Sequence, residues 1–158
     1  MTTSRFILFR ISAESFLADV MTVRQIVPWT SPRPVPNAPP LLEGVVLVSG
    51  EAVPVIDIGS QFSSGAGGEV ESHPLLMLLE SESGAIGLKV DEVRQILPIE
   101  MDEIVAAPLF VQGLAGDLLA GIVRRDEAQY LILDLEHILS PETRGEIRRL
   151  CDATEATV

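Results

Sequence analysis

One cysteine, Cys151, in a chain of 158 residues excludes an internal disulfide, the pattern of a reducing compartment. There is one lysine, Lys89, and aromatic residues make up 4% of the chain, against a hydrophobic fraction of 47%. The core must therefore be filled by aliphatic side chains. Positive charge is scarce: 11 lysines and arginines face 23 acids, for a net charge of −12. Such a chain repels nucleic acid and anionic membrane, and a basic surface is its electrostatic complement. No apolar run approaches the ~18 residues that span a bilayer, so no membrane insertion is expected. The start, Met1-Thr2-Thr3-Ser4-Arg5, lacks signal-peptide architecture, and the expected location is cytoplasmic.

The reactive motifs are missing too. His73 and His137 lie far apart and outside any metal-ligand spacing, so no metal site is expected. Cys151 shares an apolar helical face with Ile147 and Leu150, which reads as packing. The glycines of Ser64-Gly65-Ala66-Gly67-Gly68 are not followed by Lys-Ser/Thr, so they form no phosphate loop, and no cofactor is expected. No Gly-x-Ser-x-Gly occurs. Asp57 and Asp134 occupy matching places near strand ends and could pair for acid–base work. Hydrogen bonding of the turn or cap type is the favoured role for both. No catalytic residue is expected.

What is present is a repeat. Val23-Arg24-Gln25-Ile26-Val27-Pro28 returns as Val93-Arg94-Gln95-Ile96-Leu97-Pro98, and Phe6-Ile7-Leu8-Phe9 aligns with Leu76-Met77-Leu78-Leu79, both at an offset of 70. Gly44-Val45-Val46 and Val55-Ile56-Asp57-Ile58 align with Gly121-Ile122-Val123 and Ile132-Leu133-Asp134-Leu135 at an offset of 77. Two copies, about 5–60 and 74–139, are too few for a solenoid. They predict a pseudo-symmetric pair of small units, with a groove between them as a place to bind.

Short β-prone runs separated by turns give the architecture. Strands are expected at Phe6 to Ile11 and from Phe16, followed by a short helical turn over Val20 to Gln25 capped by Asp19. A proline-rich loop covers Pro32 to Pro40. A hairpin covers Leu42 to Ile58, turning at Ser49-Gly50-Glu51. Ser60 to Ser72 reads as a mobile connection. The second copy predicts strands at Leu75 to Leu79 and Ala85 to Val90, then a short turn over Asp91 to Gln95. Further strands are expected at Val111 to Ala115, Leu118 to Val123 and Tyr130 to Leu135. Ser140-Pro141-Glu142 then starts a helix over 140–152. The class is mostly β, as small barrels.

Taken together, these residues resemble the CheW-like domain of bacterial chemotaxis. The likeness rests on Phe6-Ile7-Leu8-Phe9, Val23 to Val27, Pro36-Asn37-Ala38-Pro39, the run from Leu42 to Ile58, and Gly87-Leu88-Lys89-Val90-Asp91-Glu92-Val93. It covers about residues 5 to 140. It implies a single domain, 1–158, of two intertwined five-stranded SH3-like barrels. It implies a non-catalytic adaptor that couples chemoreceptors to a CheA-type histidine kinase, meeting the cytoplasmic tips of the receptors and the regulatory domain of the kinase. Receptor-side residues carried over from the resemblance are Val23, Gln25, Ile26, Gly44, Val45 and Ser49, at the groove between the barrels. The kinase contact is expected at apolar barrel ends, on residues that the resemblance does not name.

Two departures bear on that face. The family usually has Asn-Leu-Arg-Gly where this chain has Leu47-Val48-Ser49-Gly50, and often a glutamate where this chain has Gln25. Both remove charge. They leave open an adaptor of a pilus or other alternative chemosensory system that binds kinase but not standard receptors. A chemotaxis phosphatase or other small enzyme is a weaker alternative, since the one asparagine, Asn37, lies in the proline-rich loop.

Overall fold

The computed structural model describes residues 3–38, 42–61, 73–81, 84–108, 110–111, 114–115, 119–134, 145 and 149. The expectations for the connection from Ser60 to Ser72, for the helix over 140–152, and for His137 and Cys151 lie largely or wholly outside these residues. Of the helix, Gly145 and Arg149 are described and are helical.

The first copy forms β1 (Thr3–Ile11), β2 (Glu14–Asp19), β3 (Val23–Pro28), β4 (Leu42–Val48) and β5 (Glu51–Ile56). The second forms β6 (Leu75–Ser81), β7 (Gly84–Val90), β8 (Glu92–Glu100), β9 (Ile104–Val105), β10 (Phe110–Val111), β11 (Leu114–Ala115), β12 (Leu119–Arg125) and β13 (Ala128–Leu133). One sheet runs β8-β1-β2-β13-β12-β9 and the other β3-β6-β7-β5-β4, with β10 and β11 a separate pair. The repeat offsets carry β1, β2, β3, β4 and β5 onto β6, β7, β8, β12 and β13. The second sheet is thus the first with its copies interchanged. Each copy gives its first two strands to one sheet and its remaining long strands to the other, so neither copy completes a sheet by itself.

Local chemistry explains the elements and three corrections. Asp19 caps as expected, its Oδ1 accepting from the Met21 N–H at 2.9 Å, but the 3-10 turn stops at Thr22. From Val23 the chain is β3, because the edge of β6 offers a ladder from Val23 opposite Leu79 to Pro28 opposite Leu75. The expected turn over Asp91 to Gln95 is likewise strand: β8 begins at Glu92 and pairs along β1. The single strand expected from Val111 to Ala115 is two, with Phe110 opposite Ala115 and Val111 opposite Leu114. Hairpins turn at Ser12-Ala13, Ser49-Gly50 and Asp126-Glu127, all with positive φ, which suits a two-residue turn between right-twisted strands.

Three apolar clusters hold the fold. The largest joins the sheets, with Phe9, Ile11 and Phe16 of the first against Ile56, Met77 and Leu79 of the second. Phe9 and Phe16 stack with centroids 5.8 Å apart. A second cluster lies within the first sheet (Phe6, Leu8, Leu17, Ile99, Val123, Ile132), and a third within the second (Val46, Val53, Val55, Leu76, Leu78, Ala85). Among the described residues no polar or charged side chain is buried, so burial of aliphatic surface carries the fold.

Candidate protein–protein interface

The receptor-side residues expected from the sequence fall on two neighbouring elements. Val23, Gln25 and Ile26 sit on β3, with Val23 half-buried against the central core and Gln25 and Ile26 exposed. Gly44 and Val45 are buried on β4, and Ser49 is exposed at the tip of the β4–β5 hairpin. Arg24 ties the two elements together. Its guanidinium lies 3.3 Å from Glu51 beside the hairpin turn and 3.2 Å from Glu80 on β6.

Between the end of β3 and the β4–β5 hairpin lies a groove of about 870 Å³. Val45 and Ser49 line it; Val23, Gln25, Ile26 and Gly44 do not. Its other walls include Val27, Pro28, Thr30, Ser31, Val48 and Leu76, so it belongs to the second sheet. The segment after β3 folds across that sheet. The Trp29 N–H donates to the Pro74 carbonyl at 3.2 Å, and Lys89 Nζ sits 4.9 Å from the centre of the indole ring. Arg33 then pairs with Val45 through two backbone hydrogen bonds of 2.8 and 2.9 Å. Gly44 makes that crossing possible, since a Cβ there would come within 2.5 Å of the Arg33 carbonyl oxygen.

The equivalent region of the first sheet carries an ion pair. Arg125 of β12 donates through Nη2 to the Pro98 carbonyl at 2.7 Å and to Glu103 Oε1 at 2.7 Å, and through Nε to Glu103 Oε2 at 2.8 Å. The Glu100 N–H also donates to Glu103, at 2.9 Å. These bonds hold the Glu103 carboxyl at a pKa of about 2, first through Arg125 and then through the Glu100 N–H, and Glu103 in turn raises that of Arg125. Sequence reading missed this clamp, because its partners lie 22 residues apart with no local pattern linking them.

Large apolar side chains are exposed as well: Met21, Leu47, Ile96, Met101 and Val105 are each between 49% and 88% accessible, and of these Leu47 lines the groove. Ile96, Met101 and Val105 belong to the first sheet and its 3-10 turn, Leu47 to the second. No group of three or more His, Cys, Asp or Glu among the described residues could hold a metal. Asp57 and Asp134 each have an interaction partner within the fold. Among the described residues no helix is long and apolar enough to cross a membrane. What the arrangement offers is surface for other proteins.

Residues 5–142 match the CheW-like domain family. The chain belongs to that family. It is 27% identical over 137 residues to the chemotaxis protein CheW of Klebsiella aerogenes, covering 87% of this chain and 82% of that one. It is 28% identical over 140 residues to the probable chemotaxis protein CheW of Rhizobium etli, covering 89% of each. Among solved structures it resembles the scaffolding protein TtCheW of Thermoanaerobacter tengcongensis. The TM-score there is 0.77 at 24% identity, over 89% of this chain and 91% of that one, a likeness of fold. The expected class, mostly β with paired SH3-like barrels, agrees with that fold.

Proposed function

We propose that this CheW-family chain is a non-catalytic adaptor of a bacterial chemosensory array, coupling chemoreceptors to a CheA-type histidine kinase. The observation that carries the reading is the family match across residues 5–142. The chain works in the cytoplasm and is recruited to membrane-bound receptors through protein contacts. The receptor's cytoplasmic tip meets the face made by β3 and the β4–β5 hairpin, where Arg24 holds Val23, Gln25 and Ile26 beside Val45 and Ser49. The kinase's regulatory domain meets exposed apolar ends of the sheets, for which Ile96, Met101 and Val105 offer the surface. Contacts of this kind depend on a few anchors. Ser49 and Gln25 are uncharged, which favours receptors whose tips need no arginine at the hairpin turn.

Mixing experiments test the reading. Full-length protein is combined with a CheA-type kinase and a receptor fragment, separately and together. Co-elution with each partner, and receptor-dependent kinase activity that appears when this chain is added, are the expected results. Kinase binding should survive moderate salt, since screening weakens charge pairs more than apolar burial. If neither partner co-elutes and kinase activity is unaffected by the chain, the adaptor role is wrong. Turnover of nucleotide or phosphoprotein that a substitution in this chain abolishes would replace the adaptor with an enzyme.

A further inference from the structure

The two sheets treat equivalent spaces differently, and the difference defines a ligand. In the first sheet the space beside Pro98 holds the chain's own ion pair, Arg125 with Glu103. The offset of 77 places Val48 where Arg125 stands. The backbone pairing of Arg33 with Val45 matches that of Val105 with Ile122, but the path from Pro28 to Arg33 is shorter than that from Pro98 to Val105 and lacks the 3-10 turn that carries Glu103, so no acid stands there. Both members of the clamp are thus missing from the second sheet, and the groove stands open there.

The groove's charge is unlike that of the rest of the molecule. In a chain with 23 acids and 11 lysines and arginines, no carboxylate among the described residues lines it, and Arg33 is the one charged residue among them that does. Among the described residues no acid forms an ion pair with Arg33. The hydroxyls of Thr30, Ser31 and Ser49 supply further donors, and Val27, Val45, Val46, Val48 and Leu76 give apolar walls. We infer that this groove is a docking site for a carboxylate side chain flanked by aliphatic residues on a partner protein, with Arg33 as its anchor. The partner completes from outside an ion pair of the kind the first sheet makes within itself. A net charge of −12 repels strongly acidic surfaces, so the site suits a single acid among apolar neighbours. The inference rests on the adaptor reading for the partner's identity alone, which would be a receptor tip.

Three tripeptides, acetyl-Leu-Glu-Leu-amide and its glutamine and lysine analogues, are titrated into the full chain and followed by backbone amide NMR. The expected result is that the glutamate peptide shifts the amides of Val48, Ser49 and Ala52 and binds about threefold tighter than the glutamine peptide, the scale of a partly exposed ion pair. Arg33→Ala should erase that preference and Arg33→Lys should retain part of it. Both leave the backbone bonds to Val45 in place, so the fold should persist. No shift in the groove overturns the inference. So do equal affinities, a preference for the lysine peptide, or a glutamate preference that survives Arg33→Ala. A receptor-tip fragment is titrated in parallel. If the glutamate peptide behaves as expected and the fragment does not bind, the site stands and the receptor is the wrong partner. If the fragment binds and the peptides show no preference, the adaptor reading stands and this site does not.

Discussion

The two sheets are built from equivalent strands in equivalent order, yet they fill themselves differently. In the first, Leu17 is fully buried in the cluster with Phe6 and Leu8. Pairing of Leu17 with Leu8, and of Gly87 with Leu78, puts a glycine at the matching place in the second. The first sheet pairs Arg125 with Glu103; the second has Val48 at the position of Arg125 and keeps a groove. A duplicated fold can thus carry an ion pair in one half and leave a groove in the other. Side chains contribute to the difference, and so does the shorter segment after β3, which lacks the 3-10 turn that follows β8.

The largest effect should come from the buried leucine. Leu17→Ala removes packing atoms from a site with no access to solvent and should cost about 2–5 kcal/mol. Its counterpart, Gly87→Ala, adds a methyl that would sit 2.9 Å from Leu76 Cδ1 and 3.3 Å from Val55 Cγ2. The end of a leucine can yield, so a cost of about 1 kcal/mol, the low end for overpacking, is expected. Denaturant unfolding at constant m measures both. Equal losses would show that the two sheets are packed alike and that the contrast drawn above is wrong.

The next effect is one of pH. Glu103 titrates at about 2 in the fold against a usual 4.5. A pKa lowered by folding means that the stabilisation is complete above about pH 4.5 and fades as pH falls towards 2. Glu103→Gln cannot ionise and lacks this contribution at neutral pH. The native chain should be the more stable at neutral pH, and the two unfolding curves should converge as the solution is acidified through that window. A constant difference down to about pH 2 would mean that the Arg125 clamp does not act through the ionised carboxylate.

Much of this arrangement was legible in the sequence, and the misses have physical causes. The repeat showed which strands are equivalent, because alternating aliphatic residues survive duplication. It could not show that the copies exchange strands, since equivalence does not say which copy a strand pairs with. Val23-Arg24-Gln25 read as helical because Asp19 does cap a turn; that turn ends after three residues, where pairing with β6 takes over. Of the six residues that the resemblance named, Val45 and Ser49 line the groove, and Val23, Gln25, Ile26 and Gly44 do not. Arg33 was hidden in a proline-rich stretch whose path across β4 depends on contact with Gly44, a long-range event.

The smallest effect is the sharpest test of the comparison. If side chains alone separate the sheets, the clamp should be transferable. Ser31→Glu with Val48→Arg puts an acid and a guanidinium on the walls of the groove, the arginine at the register position of Arg125, and Pro28 stands where Pro98 stands in the first sheet. Both positions border open space, so neither substitution needs the backbone to move. Each single change introduces a charge without its partner and should leave stability nearly unchanged or slightly lower. Together they should recover about 0.2–1 kcal/mol relative to the sum of the singles, the range of an exposed ion pair. A double-mutant cycle reads that coupling directly. The same double variant should lose the preference for a glutamate peptide, because Ser31→Glu puts a carboxylate of the chain's own into the groove that Arg33 lines. Coupling with binding intact would place the ligand elsewhere on the second sheet. Absence of coupling would mean that the clamp also needs the 3-10 turn Met101–Glu103, which the segment from Trp29 to Arg33 lacks, and that the groove owes its shape to the backbone as much as to Val48.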